Sequence, residues 1–376
     1  MIAQNIPDKI IAAIFDVIIY GKHNGNSLAF GVFHKNLAKV DVLIDDLKKK
    51  SFKITKFTET DPRVSDSVAA FHHTITTHYI FQLRTSTSTF IHLVVFFERD
   101  DFLWHSSISV TELTDFQHSR LKFGKTAGAY DIFKLRSVLF EGQSIPIPDP
   151  VDRFLQQTSQ STFLECNTTR TRYFDSLYPK ETSEEASRFK RKARQLIARA
   201  RQILIDLDIP FWISSGTCLG WFRQCDIFPY AKDVDFGIFI KDYRPELVTA
   251  FQRVGLPVKH VFGKESDSFE LSFQAGDVKL DLFFFYEEVD HIWNGGTDYL
   301  TGQKFKYYFP RFSLCWAVLL GLQVRVPCQT QSYIEANYGQ TWFTPLRHWD
   351  WKSSPPNVQV NGIWTADEWN TVIQVY

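Results

Sequence analysis

Three carboxylates set inside apolar segments are the residues of this chain best suited to chemistry. Asp233 and Asp235 occupy alternate positions in KDVDFGIFI (232–240), and Asp281 lies in VKLDLFFF (278–285). Alternate residues of a strand point to one face, so Asp233 and Asp235 project together. Like charges this close repel, and a carboxylate among apolar side chains is costly unless a cation balances it. An all-oxygen set of this kind selects a hard divalent ion, Mg²⁺ or Mn²⁺. A divalent ion so held is what phosphoryl-type transfer from a nucleotide needs. Acidic pairs of this spacing recur by chance among 42 Asp and Glu residues. This pair is set apart by its apolar surroundings and by the Gly-Thr turn that precedes it. Asp233, Asp235 and Asp281 are therefore the candidate catalytic residues and metal ligands.

These residues need elements to place them. A helix is expected from about 182 to 207, with Thr182 and Glu185 at capping-box spacing. Ala186, Phe189, Ala193, Leu196, Ala200, Ile203 and Leu207 form its apolar stripe. Arg188, Lys190, Arg191, Lys192, Arg194, Arg199 and Arg201 lie opposite and read as a solvated face. Pro210 ends the helix, and Phe211 to Ile213 begin the first strand. Gly216 and Thr217 are expected to turn the chain into a short helix at Cys218, whose free N–H groups suit phosphate. Arg223, Lys232, Lys306 and Arg311 are candidates to neutralise phosphate; Trp293 and Asn294 are candidates to contact donor or acceptor. HIWNGGT (291–297) reads as a Gly-Gly turn, and YIEANYG (333–339) as a helix ending at Gly339. The tail 343–376, with four Trp, is expected to wrap the core. Helix, strand, Gly-Thr turn, paired-Asp strand and Asp281 strand come in the order of a nucleotidyltransferase-like α/β (α+β) domain with a short mixed sheet.

At 376 residues the chain suits two domains. Residues 1–150 read as a smaller mixed α/β domain with no catalytic constellation, and 151–376 as the catalytic domain. Within the first, VDVLIDDLKKKSF (40–52) predicts a helix, and HYIFQLRT (78–85) with FIHLVVFFE (90–98) a hairpin. IPIPDPVD (145–152) predicts a boundary loop. Lys and Arg number 42, equal to the acids, which argues against nucleic acid as a partner. Five cysteines make no C-x-x-C pair, and the odd count leaves a free thiol or an intermolecular bridge in an oxidising compartment. Asn167-Thr168-Thr169 is a glycosylation sequon. IIAAIFDVII (10–19) is shorter than the roughly 20 residues of a membrane anchor and is broken by Asp16.

The stretches SSGTCLGWFRQCDIFPYAKDVDFGIFI (214–240), GLPVKHVFGKESDSFELSFQAGDVKLDLFFFYEE (255–288), HIWNGGT, YIEANYGQTW (333–342), WDWKSSPPNVQ (349–359) and WNTVIQVY (369–376) resemble the LicD family of phosphotransferases. FIHLVVFFERDDFLWH (90–105) and STFLEC (161–166) resemble it more weakly. Many LicD proteins carry acids just before the metal pair, whereas this chain has Ala231 and Lys232. The resemblance is strongest to the animal members that act in glycosylation of dystroglycan. It implies transfer of ribitol 5-phosphate from CDP-ribitol to a glycan hydroxyl in protein O-mannosyl glycosylation, with release of CMP. Another CDP-alditol or CDP-choline phosphotransferase, or a non-catalytic scaffold for a related transferase, is the alternative. The resemblance also implies a glycoprotein glycan acceptor, a related transferase as partner, and a place on the lumenal side of the Golgi membrane. Membrane attachment is then expected only through an anchor that this sequence does not contain. The first domain would be a stem serving assembly or acceptor placement.

Overall fold

The computed structural model describes residues 2–3, 28–38, 40, 44, 47–48, 52–62, 74–83, 90–140, 143–346 and 348–376. The chain divides into two compact units, Met1–Leu164 and Glu165–Tyr376.

Unit 1 is built on a sheet of β1 (Ile2–Ala3), β2 (Leu28–Phe33), β3 (Phe52–Thr60), β4 (Thr74–Leu83) and β5 (Phe90–Arg99), in the order β1-β2-β5-β4-β3. β6 (Phe102–His105) pairs with β5, and β7 (Gly128–Asp131) with β6. The apolar run of β5 is buried through its first eight residues, as befits a central strand. β4 pairs antiparallel with it as the sequence predicts, with residues 84–89 outside the described ones. Of the helix expected over 40–52, Val40, Ile44, Leu47 and Lys48 are described and helical, the first three buried on one face; Phe52 already starts β3. The segment 10–19 lies outside the described residues.

The proline-rich segment is not a loop. β8 (Lys134–Phe140) pairs with β9 (Gln143–Asp149), and a helix follows at Val151–Ser159. Alternation explains this: Pro146 and Pro148 both turn their missing donors to the edge away from β8, so the ladder survives. The compact units divide only beyond that helix, after Leu164.

Unit 1 also buries three histidines, His78, His92 and His105. His78 Nδ1 lies 3.0 Å from His92 Nε2, and His78 Nε2 donates to the Ser106 carbonyl at 2.9 Å. His105 Nδ1 donates to the same carbonyl at 2.8 Å. Burial, then the neighbouring imidazoles, holds His78 well below the usual range and brings His92 down to about 3; burial brings His105 down to about 4. Each folded value lies below the unfolded one, so the stability these groups confer is present above pH 6.5 and is lost as pH falls toward 4 and 3.

Unit 2 carries β10 (Phe211–Ile213), β11 (Asp233–Phe239), β12 (Val258–Lys264), β13 (Asp267–Ala275), β14 (Val278–Glu287), β15 (His291–Thr297) and β16 (Gln303–Pro310). β17 (Leu314–Leu319) and β18 (Leu322–Pro327) form a separate hairpin. β10, β11 and β14 make the short mixed core: β10 is antiparallel to β11, and β11 is parallel to β14. The antiparallel strands extend it, and the tail supplies both ends: β19 (Val358–Ile363) joins β16, and β20 (Ile373–Val375) joins β12. Gly237 lets the sheet core close. A Cβ there would stand 2.3 Å from the ring of buried Trp212, on the neighbouring strand.

The long helix spans Glu184–Asp206. Its cap is Ser183, not Thr182: the Ser183 hydroxyl accepts from Ala186 N at 3.2 Å, while Glu181 accepts from Ser183 N. The apolar stripe is buried as expected, apart from half-buried Phe189 and Leu207. Its basic face is more than a solvated one. Lys190 pairs with Asp226 at 2.5 Å, Lys192 with Asp277 at 2.6 Å, and Arg194 donates to the Leu320 carbonyl. Cys166–Cys225 and Cys315–Cys328 are disulfides, and Cys218 is a buried free thiol. The first closes a sequence separation of 59 residues, a constraint of about 4 kcal/mol on the unfolded chain. Among the described residues, no helix is long and apolar enough to cross a membrane.

Two expectations follow from these features. Amide hydrogen exchange of β4 and β5, corrected for the intrinsic chemical rate, should lose protection between pH 7 and pH 5, by up to ~1.4 kcal/mol per pH unit per histidine; constant protection would show that the histidines do not stay neutral. Alkylation of the denatured, unreduced chain should label one cysteine, Cys218, and all five after reduction. Three or more labels before reduction would refute the pairing.

Candidate active site

The helix Ser215–Gln224 starts one residue after Ser214, at the end of β10. It therefore begins earlier than the expected start at Cys218, and Gly216 and Thr217 sit in its first turn. Ser214 N donates to the Asp235 carbonyl at 2.9 Å, which ties the helix start to β11.

Strand register then gathers the acids. In the parallel pair, Asp235 is beside Asp281, and Asp233 beside Lys279. In the antiparallel pair β13/β14, Ser272 is opposite Asp281 and Glu270 opposite Phe283. All these side chains share one face. Oxygens of Asp233, Asp235 and Asp281 lie within 4.8 Å of one another, the sole such cluster among the described residues. Asp235 is 7% exposed and Asp281 4%. Thr217 braces Asp235: its N and Oγ1 lie 3.4 Å from Asp235 Oδ2, and its Oγ1 accepts from Asp235 N at 2.9 Å. Ser272 Oγ donates to Asp281 Oδ1 at 2.5 Å, and Lys279 Nζ contacts Asp281 Oδ2 at 2.8 Å.

The electrostatics follow from crowding. Burial, then Asp281, raises Asp233; burial, then Asp233 and Asp281, raises Asp235 well above the usual carboxylate range. Burial and Asp281 push Glu270 up to about 8. Burial alone would lower Lys279, but Asp281, Glu270 and Asp233 outweigh it and raise the ammonium. Three carboxylate donors crowded on rigid strands, where like charges repel unless a cation balances them, fit a hard divalent ion.

The acids open into a cavity of about 960 Å³. Gly216, Arg223 and Asn294, candidates for phosphate or substrate contact, line it. Arg223 is 3% exposed, lies over the Phe174 and Phe228 rings at 4.7 and 4.8 Å, and donates to the Trp342 carbonyl at 3.2 Å. Among the described residues its Nε has no hydrogen-bond partner, and burial lowers its pKa. Thr217 is turned to Asp235 and does not line the cavity, and Lys232 is exposed beside it.

Trp293, Lys306 and Arg311 lie elsewhere. HIWNGGT is strand β15, not a turn, so alternation separates its side chains. Asn294 pairs with Phe285 and Tyr307 on the cavity side; Trp293 pairs with Tyr286 and Tyr308 on the other. There Trp293 stacks on Tyr286 at 4.1 Å under the Lys306 ammonium at 3.7 Å. Arg311 donates to the Glu288 carbonyl and lies 3.5 Å from Glu287. The two glycines serve close approach: a Cβ on Gly295 would stand 2.0 Å from Ser268 Oγ. Asn167 is exposed and caps the helix Thr168–Leu177, accepting from Arg170 N at 2.8 Å.

The sequence reading missed Glu270, Ser272, Lys279 and Tyr307. The first two were findable: they are polar residues at alternate positions in the apolar strand FELSF, the same signal that marks Asp233 and Asp235.

Carboxylates on adjacent parallel strands, beside a helix start and on a mixed sheet, define a nucleotidyltransferase-type domain. Residues 208–329 match the LicD/FKTN/FKRP nucleotidyltransferase domain, and residues 20–194 match Fukutin N-terminal. A Mus musculus protein named Ribitol-5-phosphate transferase FKTN is 49% identical over 330 residues, covering 86% of this chain and 71% of the mouse protein. The Homo sapiens protein of that name has the same identity and coverage. An uncharacterized Caenorhabditis elegans protein is 28% identical over 302 residues, covering 73% of this chain and 75% of its own. The chain belongs to the fukutin branch of the LicD/FKTN/FKRP family.

A raised carboxyl favours the protonated form, so in metal-free protein Asp235 contributes stability at low pH that is lost as pH rises through its folded value. Asp235→Asn should therefore raise the melting midpoint in EDTA at pH 8 by a few degrees, for ~1–2 kcal/mol, and the gain should shrink toward pH 4. A lowered midpoint at pH 8 would contradict the crowding argument.

Proposed function

We propose that the chain transfers ribitol 5-phosphate from CDP-ribitol to a glycan hydroxyl of a glycoprotein, in protein O-mannosyl glycosylation of the dystroglycan type, and releases CMP. The observation that carries this is the convergence of Asp233, Asp235 and Asp281 within 4.8 Å at a large cavity, in a chain 49% identical to a protein named as a ribitol-5-phosphate transferase. The acceptor oxygen bonds to the phosphorus that carries ribitol. The bond from that phosphorus to the oxygen shared with CMP breaks, CMP takes the electron pair, and the hydroxyl proton leaves through a site carboxylate to solvent.

The three aspartates would hold Mg²⁺ or Mn²⁺, which when bound supplies charge stabilisation at the entering and leaving oxygens. Thr217 and Ser272 keep Asp235 and Asp281 oriented. Arg223 offers a guanidinium at the cavity wall to the donor's phosphates. Asn294, Tyr307 and the tail residues Trp349 and Trp351 add polar and aromatic surface for the rest of the substrates. Two disulfides support an oxidising compartment, in keeping with the lumenal side of the Golgi membrane and with glycosylation of Asn167. Unit 1 is assigned to assembly, including with a related transferase, or to acceptor placement.

A second reading keeps the chemistry and changes the donor. Ala231 lines the cavity where many LicD proteins carry an acid, so a different CDP-alditol head group could be the one recognised. Purified protein incubated with CDP-ribitol, CDP-glycerol and CDP-choline, with and without Mn²⁺, decides this through CMP release. CDP-ribitol with Mn²⁺ should turn over fastest, EDTA should stop it, and Asp233→Asn should lose at least about 10³-fold in kcat. Equal CMP release from Asp233→Asn would refute the site.

A further inference from the structure

We propose that Lys279 is a counter-cation built into the carboxylate site, which a divalent ion displaces from Asp281 and which then binds the donor's diphosphate. Only the second half rests on the transferase reading.

Both oxygens of Asp281 are engaged: Oδ1 by Ser272 at 2.5 Å and Oδ2 by Lys279 at 2.8 Å. A metal ion that used Oδ2 would have to take the place of the ammonium. The backbone dictates this placement. Lys279 precedes Asp281 by two residues on β14, so it shares its face, and its partner across the parallel pair is Asp233. Among the described residues, no other cation is paired with the three aspartates. The Lys279 side chain is 28% exposed against 5% for Asp281, so the cation stands on the solvent side of the acid. It also lines the cavity.

The physics has two consequences of opposite sign. A point charge a few ångströms from a divalent ion repels it, so without donor Lys279 weakens metal binding. Released from Asp281 on a flexible four-carbon stem, the same ammonium stays at the cavity wall and attracts phosphate. Metal and donor then support each other's binding, because diphosphate neutralises both cations, and removing Lys279 reduces that coupling.

The test uses the full chain as wild type, Lys279→Met and Lys279→Arg. Calorimetry measures Mn²⁺ binding without nucleotide, then CDP binding at saturating Mn²⁺. Lys279→Met should bind Mn²⁺ about fivefold tighter or more and CDP about fivefold weaker or more. Lys279→Arg should stay within about twofold of wild type on both. Unchanged or weaker Mn²⁺ binding by Lys279→Met overturns the displacement, and unchanged CDP binding overturns the second role. Lys279→Gln replaces the Met variant if that one fails to fold. Tighter Mn²⁺ binding by Lys279→Met together with a wild type that releases no CMP from CDP-ribitol sinks the functional reading and leaves the displacement standing. A wild type that turns over while Lys279→Met binds Mn²⁺ as wild type does the reverse.

Discussion

Seven consecutive register pairs join β11 to β14 in parallel, and one of them sets Asp235 beside Asp281. A parallel pair cannot be closed by a tight turn. The chain between the two strands is spent on the helix Glu246–Arg253 and on β12 and β13, which bring β14 back antiparallel to β13. That detour is also what sets Ser272 opposite Asp281. The acid and its brace thus come from one topological choice, and a one-residue slip would turn both out of the site.

Gathering three carboxylates has a cost that the surroundings offset. Asp235 is held by a threonine from the start of the neighbouring helix, and Asp281 by a serine and a lysine from its own sheet. The packing around them is apolar and aromatic: Phe211 stacks on Phe236 on the opposite face, and Trp212 meets Phe239 and Phe285 on the acids' own face. Rigid strands prevent the acids from relaxing apart, which is what raises Asp233 and Asp235 above the usual carboxylate range and leaves the cluster with a demand for a cation.

The tail completes the cavity. Trp349, Trp351 and Lys352 reach its wall, and Tyr307 OH donates to the Trp351 carbonyl at 2.8 Å. Phe305 meets the Trp351 ring edge-on at 5.4 Å. β19 and β20 anchor the last stretch of chain at opposite ends of the sheet. The disulfide Cys166–Cys225 fastens the segment before the long helix to the end of the helix that carries Arg223.

Local chemistry was legible in the sequence wherever a period decided it. Alternation in an apolar run disclosed Asp233 and Asp235, steps of three and four disclosed the long helix, and Gly339 marked the end of Thr330–Tyr338. The third acid was legible as a carboxylate among apolar residues. Where a side chain's role depended on its neighbours in space, the sequence was silent. Trp293 and Asn294 are adjacent in the chain and point to opposite faces, a distinction that required knowing HIWNGGT to be a strand. Lys306 and Arg311 looked like phosphate ligands but meet an aromatic ring and a carbonyl. Thr217 serves a carboxylate, Glu270 and Ser272 enter the site through pairing of β13 with β14, and Lys279 meets Asp233 through pairing of β14 with β11. The residue types by themselves determined that this chain carries a carboxylate set suited to a cation. Tertiary structure decided which residues brace it: sheet register set Ser272 beside Asp281, and the helix start beside β11 set Thr217 against Asp235, contacts made between segments distant in the chain.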